Sequence, residues 1–154
     1  MTQRIQTMNG IPKAFKALLA LGQEVEASGR AAGVDQILLE LIKIRASQIN
    51  ACAFCLDMHT RDAIKHGEDT RRLLLLDAWR ETDLFTEEER VALEMTEVLT
   101  RLSDTQDLPD ELYERAMKVF NEAQYQAVVW LIVTINAWNR VNVPARPKLP
   151  KHNA

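Results

Sequence analysis

The 154-residue chain is 47% hydrophobic and 27% charged, a balance that suits one folded domain with a real core and excludes a disordered chain. Its formal net charge of −3 gives no reason to expect a nucleic-acid partner. The longest strongly apolar run, Ala127 to Ile135, is too short to cross a bilayer, and the start of the chain lacks the basic and apolar stretches of a secretory signal, so a cytoplasmic protein away from membranes is expected.

Residues 1–10 read as a loose lead-in. Pro12, whose fixed φ and missing N–H suit a first helical position, opens a helix after Ile11. Phe15, Leu18, Leu19 and Val25 form its apolar face and Gly29 ends it. Asp35 is placed to cap a second helix running to about Asn50. Ile37, Leu38, Leu41, Ile44, Arg45 and Ile49 fill one broad side of it, and Glu40 lies at the edge of that side. Desolvating a carboxylate is costly. Glu40 is therefore either a structural partner of Lys43 or an arginine, or a functional group with a shifted pKa.

A third helix is predicted from near Cys52 to Gly67, a residue that stops helices. It begins with Asn50-Ala51-Cys52-Ala53-Phe54-Cys55-Leu56-Asp57-Met58-His59, which holds both cysteines and one of the three histidines. At about 3.6 residues per turn, Cys52, Cys55 and His59 share one narrow stripe. Unpaired first-turn N–H groups and the helix dipole stabilise a thiolate there, which taken alone favours Cys52 as the more acidic thiol. His59, four residues after Cys55, is within reach to exchange a proton with it. In a reducing compartment a lone C-x-x-C pair is catalytic or metal-binding more often than structural. His66, in the last turn, is accounted for by the dipole alone.

Asp69 caps a fourth helix through Leu73-Leu74-Leu75-Leu76 to Trp79. Four successive leucines surround it, so it is expected to be deeply buried or covered by another subunit. Thr86 with Glu89 forms a capping box for a fifth helix ending near Leu102. Leu108-Pro109-Asp110 opens a sixth, to Phe120, and Asn121 with Gln124 boxes a seventh, about Glu122 to Asn139, apolar nearly all round. Pro144, Pro147 and Pro150 then mark an extended tail, giving a helical domain over 1–143 and a tail over 144–154. No alternating strand pattern, phosphate loop or repeat appears. The expected fold is an all-α, single-domain bundle of about seven helices, and without a βαβ pattern the C-x-x-C does not indicate thioredoxin.

Glu40 followed by Cys52-x-x-Cys55-x-x-x-His59, with Leu56-Asp57-Met58-His59-Thr60 and Ala78-Trp79-Arg80-Glu81-Thr82, resembles the alkyl hydroperoxidase D (AhpD) family of the carboxymuconolactone decarboxylase superfamily. The resemblance is strongest over about residues 36–101. It implies an all-α homo-oligomer, a trimer or hexamer, that reduces a small hydroperoxide in antioxidant defence. By position it makes Cys55 the thiol that attacks the peroxide, Cys52 the resolving thiol, and His59 and Glu40 the proton relay. No cofactor is implied beyond the redox-active Cys52–Cys55 pair. An external dithiol, in the family a lipoyl-bearing protein in some cases, would close the cycle. Ser47 and Asn50 are candidates to order a water near the relay. One departure stands out: the best-known member carries a second relay histidine just before the second cysteine, where this chain has Phe54.

Three other readings compete. Cys52, Cys55 and His59, with Glu40 or water, make an incomplete zinc set. A lactone decarboxylase-like lyase would use His59 as acid and base and leave the cysteines idle, but the family's decarboxylase branch generally lacks this pair. A redox-sensing or structural oligomer would turn over nothing.

Overall fold

The structure is a computed structural model that describes residues 2–150. Among the described residues there is no strand, and the chain forms one all-α domain. A single helical turn, α1 (Thr7–Gly10), breaks the expected loose lead-in. Helix α2 (Pro12–Ala31) begins on Pro12 as the sequence indicates, but it passes through Gly29 and ends before Gly33, whose φ of +86° makes the left-handed turn. Gly29 has a different use: a Cβ there would lie 3.3 Å from Leu39 Cδ2, so its bare backbone lets α2 approach α3.

Helix α3 (Gln36–Ile49) is the central rod. Asp35 accepts hydrogen bonds from the Ile37 and Leu38 amides, and every residue from Leu38 to Ser47 is buried. Helix α4 (Ala53–Lys65) carries the cysteine motif and ends at His66 and Gly67. Helix α5 (Thr70–Leu75), capped by Asp69, is shorter than expected and tightens into a 3-10 segment, Leu76–Glu81. There Trp79 Nε1 donates to Glu97 Oε1 at 2.9 Å, and Ala78 leaves helical geometry. Leu73 and Leu76 are buried and Leu74 is 78% exposed, so the leucine run is two-sided within the chain.

Helix α6 (Glu87–Thr100) starts on the Thr86–Glu89 capping box, and a single turn, α7 (Leu102–Thr105), follows it. Helices α8 (Asp110–Val119) and α9 (Glu122–Ala145) complete the chain, α9 starting on the Asn121–Gln124 box.

The expected end of the last helix near Asn139 is corrected by the structure: α9 runs on through Pro144 to Ala145. Proline removes one ladder N–H, but the carbonyls of the last turn find donors elsewhere. Thr7 Oγ1 donates to the Val141 carbonyl at 2.7 Å, Arg4 Nη1 to that of Pro144 at 3.2 Å, and Gln6 Nε2 to that of Ala145 at 3.1 Å. The tail expected from residue 144 thus begins at Arg146, and its residues 151–154 lie outside those described.

Helices α4, α6 and α9 pack around α3, α2 lies along α9, and α8 packs on α6. One core includes Leu39, Ile42, Met95, Val128 and Ile132; a second includes Leu41, Ile44, Leu76, Trp79 and Leu93. Each fully buried Leu or Ile contributes about 1.5–3 kcal/mol, which makes α3 the costliest element to disturb. A third, small cluster of Ala46, Cys52, Cys55 and Ile135 forms where α3, α4 and α9 meet.

Candidate active site

The turn between α3 and α4 sets the cysteines. The Ala51 amide bonds the Gln48 carbonyl and the Cys52 amide bonds that of Ser47, which forces Ala51 into the left-handed region at φ +50°. The chain reverses there and Cys52 becomes the N-cap of α4, its Sγ accepting from the Cys55 amide at 3.4 Å. Cys52 and Cys55 are joined as a disulfide, with Cα atoms 5.4 Å apart. Both sulfurs therefore lie in or just before the first turn of α4. Both side chains are buried, at 2% and 1% exposed.

The sequence-predicted Glu40 and His59 meet across α3 and α4, with His59 Nδ1 3.1 Å from Glu40 Oε2. Both are buried. Burial pushes the Glu40 carboxyl up, but the hydrogen bond from His59 and the charge and hydrogen bond of Lys43 outweigh it and hold Glu40 below the usual carboxylate range. An ionised carboxylate only accepts, so it fixes the proton of neutral His59 on Nδ1 and leaves Nε2 as the free base.

Lys43 belongs to this site, where the sequence suggested only a structural partner. Its ammonium bridges Glu40 Oε1 at 2.8 Å and Glu26 Oε1, on α2, at 2.9 Å, and Gln36 Nε2 donates to Glu40 Oε1 at 3.2 Å. The available signal was the i+3 spacing of two charged residues within an apolar stripe. Asn142 on α9 was missed outright. Its Nδ2 donates to the Trp138 carbonyl at 3.0 Å and lies 3.7 Å from Cys55 Sγ.

A cavity of about 430 Å³ opens on these groups. Cys55, His59, Lys43, Glu26 and Asn142 line it, among apolar walls that include Phe15, Met58, Ile135 and Trp138. Phe54 is on the wall as well, and Cys52 is not. Ser47 and Asn50 are engaged elsewhere: Ser47 Oγ accepts from Asn139 at 3.0 Å, and Asn50 donates to Asn136 and Asn139, tying α3 to α9. With Cys52 and Cys55 joined as a disulfide, no three His, Cys, Asp or Glu side chains among the described residues are grouped so as to hold a metal ion. No described helix is long and apolar enough to cross a membrane.

The arrangement is a dithiol/disulfide pair with one sulfur on an apolar cavity, next to a carboxylate–imidazole pair able to move a proton.

The chain is similar to several known proteins. The uncharacterised protein YdfG of Bacillus subtilis is 41% identical over 143 residues, covering 93% of this chain and 94% of YdfG. The uncharacterised YnjA of Escherichia coli is 29% identical over 109 residues, 71% of this chain and 59% of YnjA. A crystal structure from Agrobacterium tumefaciens, ATU0492, described as a protein of unknown function with a provisional assignment to antioxidant defence as AhpD, superposes with a TM-score of 0.89 at 34% identity over 98% of this chain and all of that one. The debrominase Bmp8 shares the fold alone, with a TM-score of 0.75 at 17% identity over 93% of this chain and 74% of Bmp8. The carboxymuconolactone decarboxylase family pattern matches residues 12–98, and with the cysteine motif and this fold the chain belongs to that family as an AhpD-like member.

Proposed function

We propose that this protein is a thiol-dependent peroxidase that reduces organic hydroperoxides through a Cys52–Cys55 dithiol/disulfide cycle. The observation that carries the reading is the position of Cys55: it lines an apolar cavity one helical turn from His59, whose Nδ1 is held by Glu40. His59 Nε2 takes the Cys55 thiol proton. The thiolate attacks the terminal oxygen of R–O–O–H, the S–O bond forms as the O–O bond breaks, and the alkoxide leaves as ROH with the proton from His59. Cys55 is left as a sulfenic acid. The Cys52 sulfur attacks it, the disulfide forms, and the hydroxyl leaves with the Cys52 proton as water. An external dithiol of the lipoyl class returns two electrons and two protons and leaves as its own disulfide.

Phe54 takes no part in proton transfer here, and Glu40 and His59 carry the relay alone. The provisional antioxidant-defence assignment of ATU0492 is consistent with this reading. The exposed Leu74, Trp130 and Val133 support a homo-oligomer; its trimeric or hexameric form and a cytoplasmic setting are carried over from the sequence.

The test is mass spectrometry of the reduced protein before and after one equivalent of cumene hydroperoxide. Wild type should lose two hydrogens and gain no oxygen. Cys52→Ser should gain one oxygen at Cys55, and Cys55→Ser should not react. Full peroxide turnover by Cys55→Ser would overturn the reading.

A further inference from the structure

Asn142 is 4% exposed, lies on the cavity wall, and its Oδ1 has no hydrogen-bond partner among the described residues. A buried amide oxygen without a donor costs about 1–3 kcal/mol of desolvation, so a fold keeps one where something else supplies the donor. The orientation of the amide is not free. The Trp138 carbonyl, 3.0 Å away, can only accept, so the NH2 group must face it, and the same NH2 group then lies 3.7 Å from Cys55 Sγ. Asn142 thus shows a donor to the sulfur and keeps a spare acceptor beside it.

We infer that Asn142 is a catalytic residue of this site, its Nδ2 stabilising the Cys55 thiolate and its Oδ1 accepting the O–H of a hydroperoxide. The inference rests on the peroxidase reading and deepens it. In the disulfide, Cys55 Sγ is a weak acceptor; on reduction it becomes a thiolate and the same N–H becomes a charge-assisted donor to it. This bears on which thiol attacks. The helix terminus by itself favours Cys52, which already receives the Cys55 amide, and Asn142 gives Cys55 a donor of its own.

The second half follows from the atoms. In the attack, the thiolate bonds to the terminal oxygen, which keeps its hydrogen while the O–O bond breaks and the alkoxide leaves to take the His59 proton. The hydroxyl of R–O–O–H is therefore the hydroxyl of the sulfenic acid. An acceptor that holds this O–H in the substrate can hold it unchanged in the product, next to the sulfur it has joined. Asn142 Oδ1 is a buried, unpartnered acceptor on the residue whose other side-chain arm bonds that sulfur. A dialkyl peroxide, R–O–O–R, has no such hydrogen and should gain nothing from Asn142.

Two readouts on Asn142→Ala and the isosteric Asn142→Asp test this, with circular dichroism to verify folding. The first is the pH dependence of iodoacetamide alkylation of Cys55 in a Cys52→Ser background, without peroxide. Loss of the donor should move the profile up by about 1 pH unit in Asn142→Ala, and further in Asn142→Asp, which sets a negative charge there. The second is the rate of Cys55 oxidation by cumene hydroperoxide at a pH where the thiol is fully ionised in each variant. It should fall about tenfold or more in Asn142→Ala for loss of the acceptor. An alkylation profile unmoved in both variants, or an oxidation rate unchanged once ionisation is matched, would overturn the assignment. Failure of the peroxidase reading looks different: wild type itself would not react with hydroperoxide, and the alkylation profile would still decide the contact between Asn142 and Cys55.

Discussion

Lys43 Nζ lies 2.8 Å from Glu40 Oε1, both side chains are buried, and Lys43 lines the cavity together with His59. The lysine therefore controls the charge of the relay through Glu40. Replacing Lys43 by methionine keeps the length and removes the cation, leaving Glu40 with Gln36 and His59. Stranding a buried carboxylate in this way should cost about 3 kcal/mol at neutral pH, read as a lower urea midpoint. The Glu40 carboxyl should rise, and the acid limb of the pH profile for Cys55 oxidation should move to higher pH with it. An acid limb that stays in place would show that Lys43 has no hold on the relay.

The same logic governs stability against pH. Burial pushes the carboxyls of Glu40 and Glu97 up, but His59 and Lys43 at Glu40, and Trp79, Arg80 and Arg45 at Glu97, hold both below their ordinary value. Unfolding returns each to about 4.3, so between the folded and unfolded values the unfolded chain binds more protons. The stabilisation is fully present above the unfolded value and is lost as pH falls through the folded one. The urea midpoint should accordingly hold level near neutrality and drop below about pH 4.5. Glu97→Gln should flatten part of that drop and cost about 3 kcal/mol at pH 7, since buried Arg45 loses its buried carboxylate partner and keeps only the exposed one of Asp77. Glu97 does not line the cavity, so Cys55 oxidation in the folded variant should stay within about twofold of wild type.

Ala51 carries strain that glycine would not. Its φ of +50° costs a residue with a Cβ about 1–2 kcal/mol, partly offset by the extra freedom glycine has when unfolded. Ala51→Gly should therefore stabilise the protein by about 0.5–1 kcal/mol, a rise of roughly 1–4 °C in Tm. A loss of stability would mean that the turn depends on the alanine methyl.

Much of this fold was legible because its signals are local. Asp35, Asp69, Thr86 and Asn121 all cap helices where their short polar side chains indicate, and Pro12 opens α2. The C-x-x-C-x-x-x-H register made Cys55 and His59 legible as a pair, but Glu40 joined them only through the family resemblance, since its place at the edge of an apolar stripe fitted a structural partner of Lys43 as well. The errors came where contacts distant in sequence overrode local rules. Gly29 looked like a stop, but it is a close-approach residue against Leu39 on another helix. Pro144 looked like the start of a tail, yet donors some 140 residues away in sequence complete the turn around it. Asn142 is one asparagine among several near the end of α9. Nothing in its sequence neighbourhood reveals that the tertiary fold brings it to Cys55.

The N-terminal segment supplies those donors, so it should also steady Asn142. Thr7, Arg4 and Gln6 bond the carbonyls of Val141, Pro144 and Ala145, on both sides of Asn142, and Met8 reaches the cavity wall. Each such bond is worth about 0.5–1.5 kcal/mol net, so removing two of them should ease local opening at the end of α9 by about 1–2 kcal/mol. In a Gln6→Ala, Thr7→Ala double variant, amide hydrogen exchange over residues 141–146 should quicken by about tenfold, with α3 unchanged. Cys55 oxidation should slow in the same variant, because an amide on a fraying turn no longer holds its place beside the sulfur. Exchange at the end of α9 that matches wild type would mean the helix holds Asn142 without the segment. Faster exchange with undiminished oxidation would separate the order of this turn from the chemistry at Cys55.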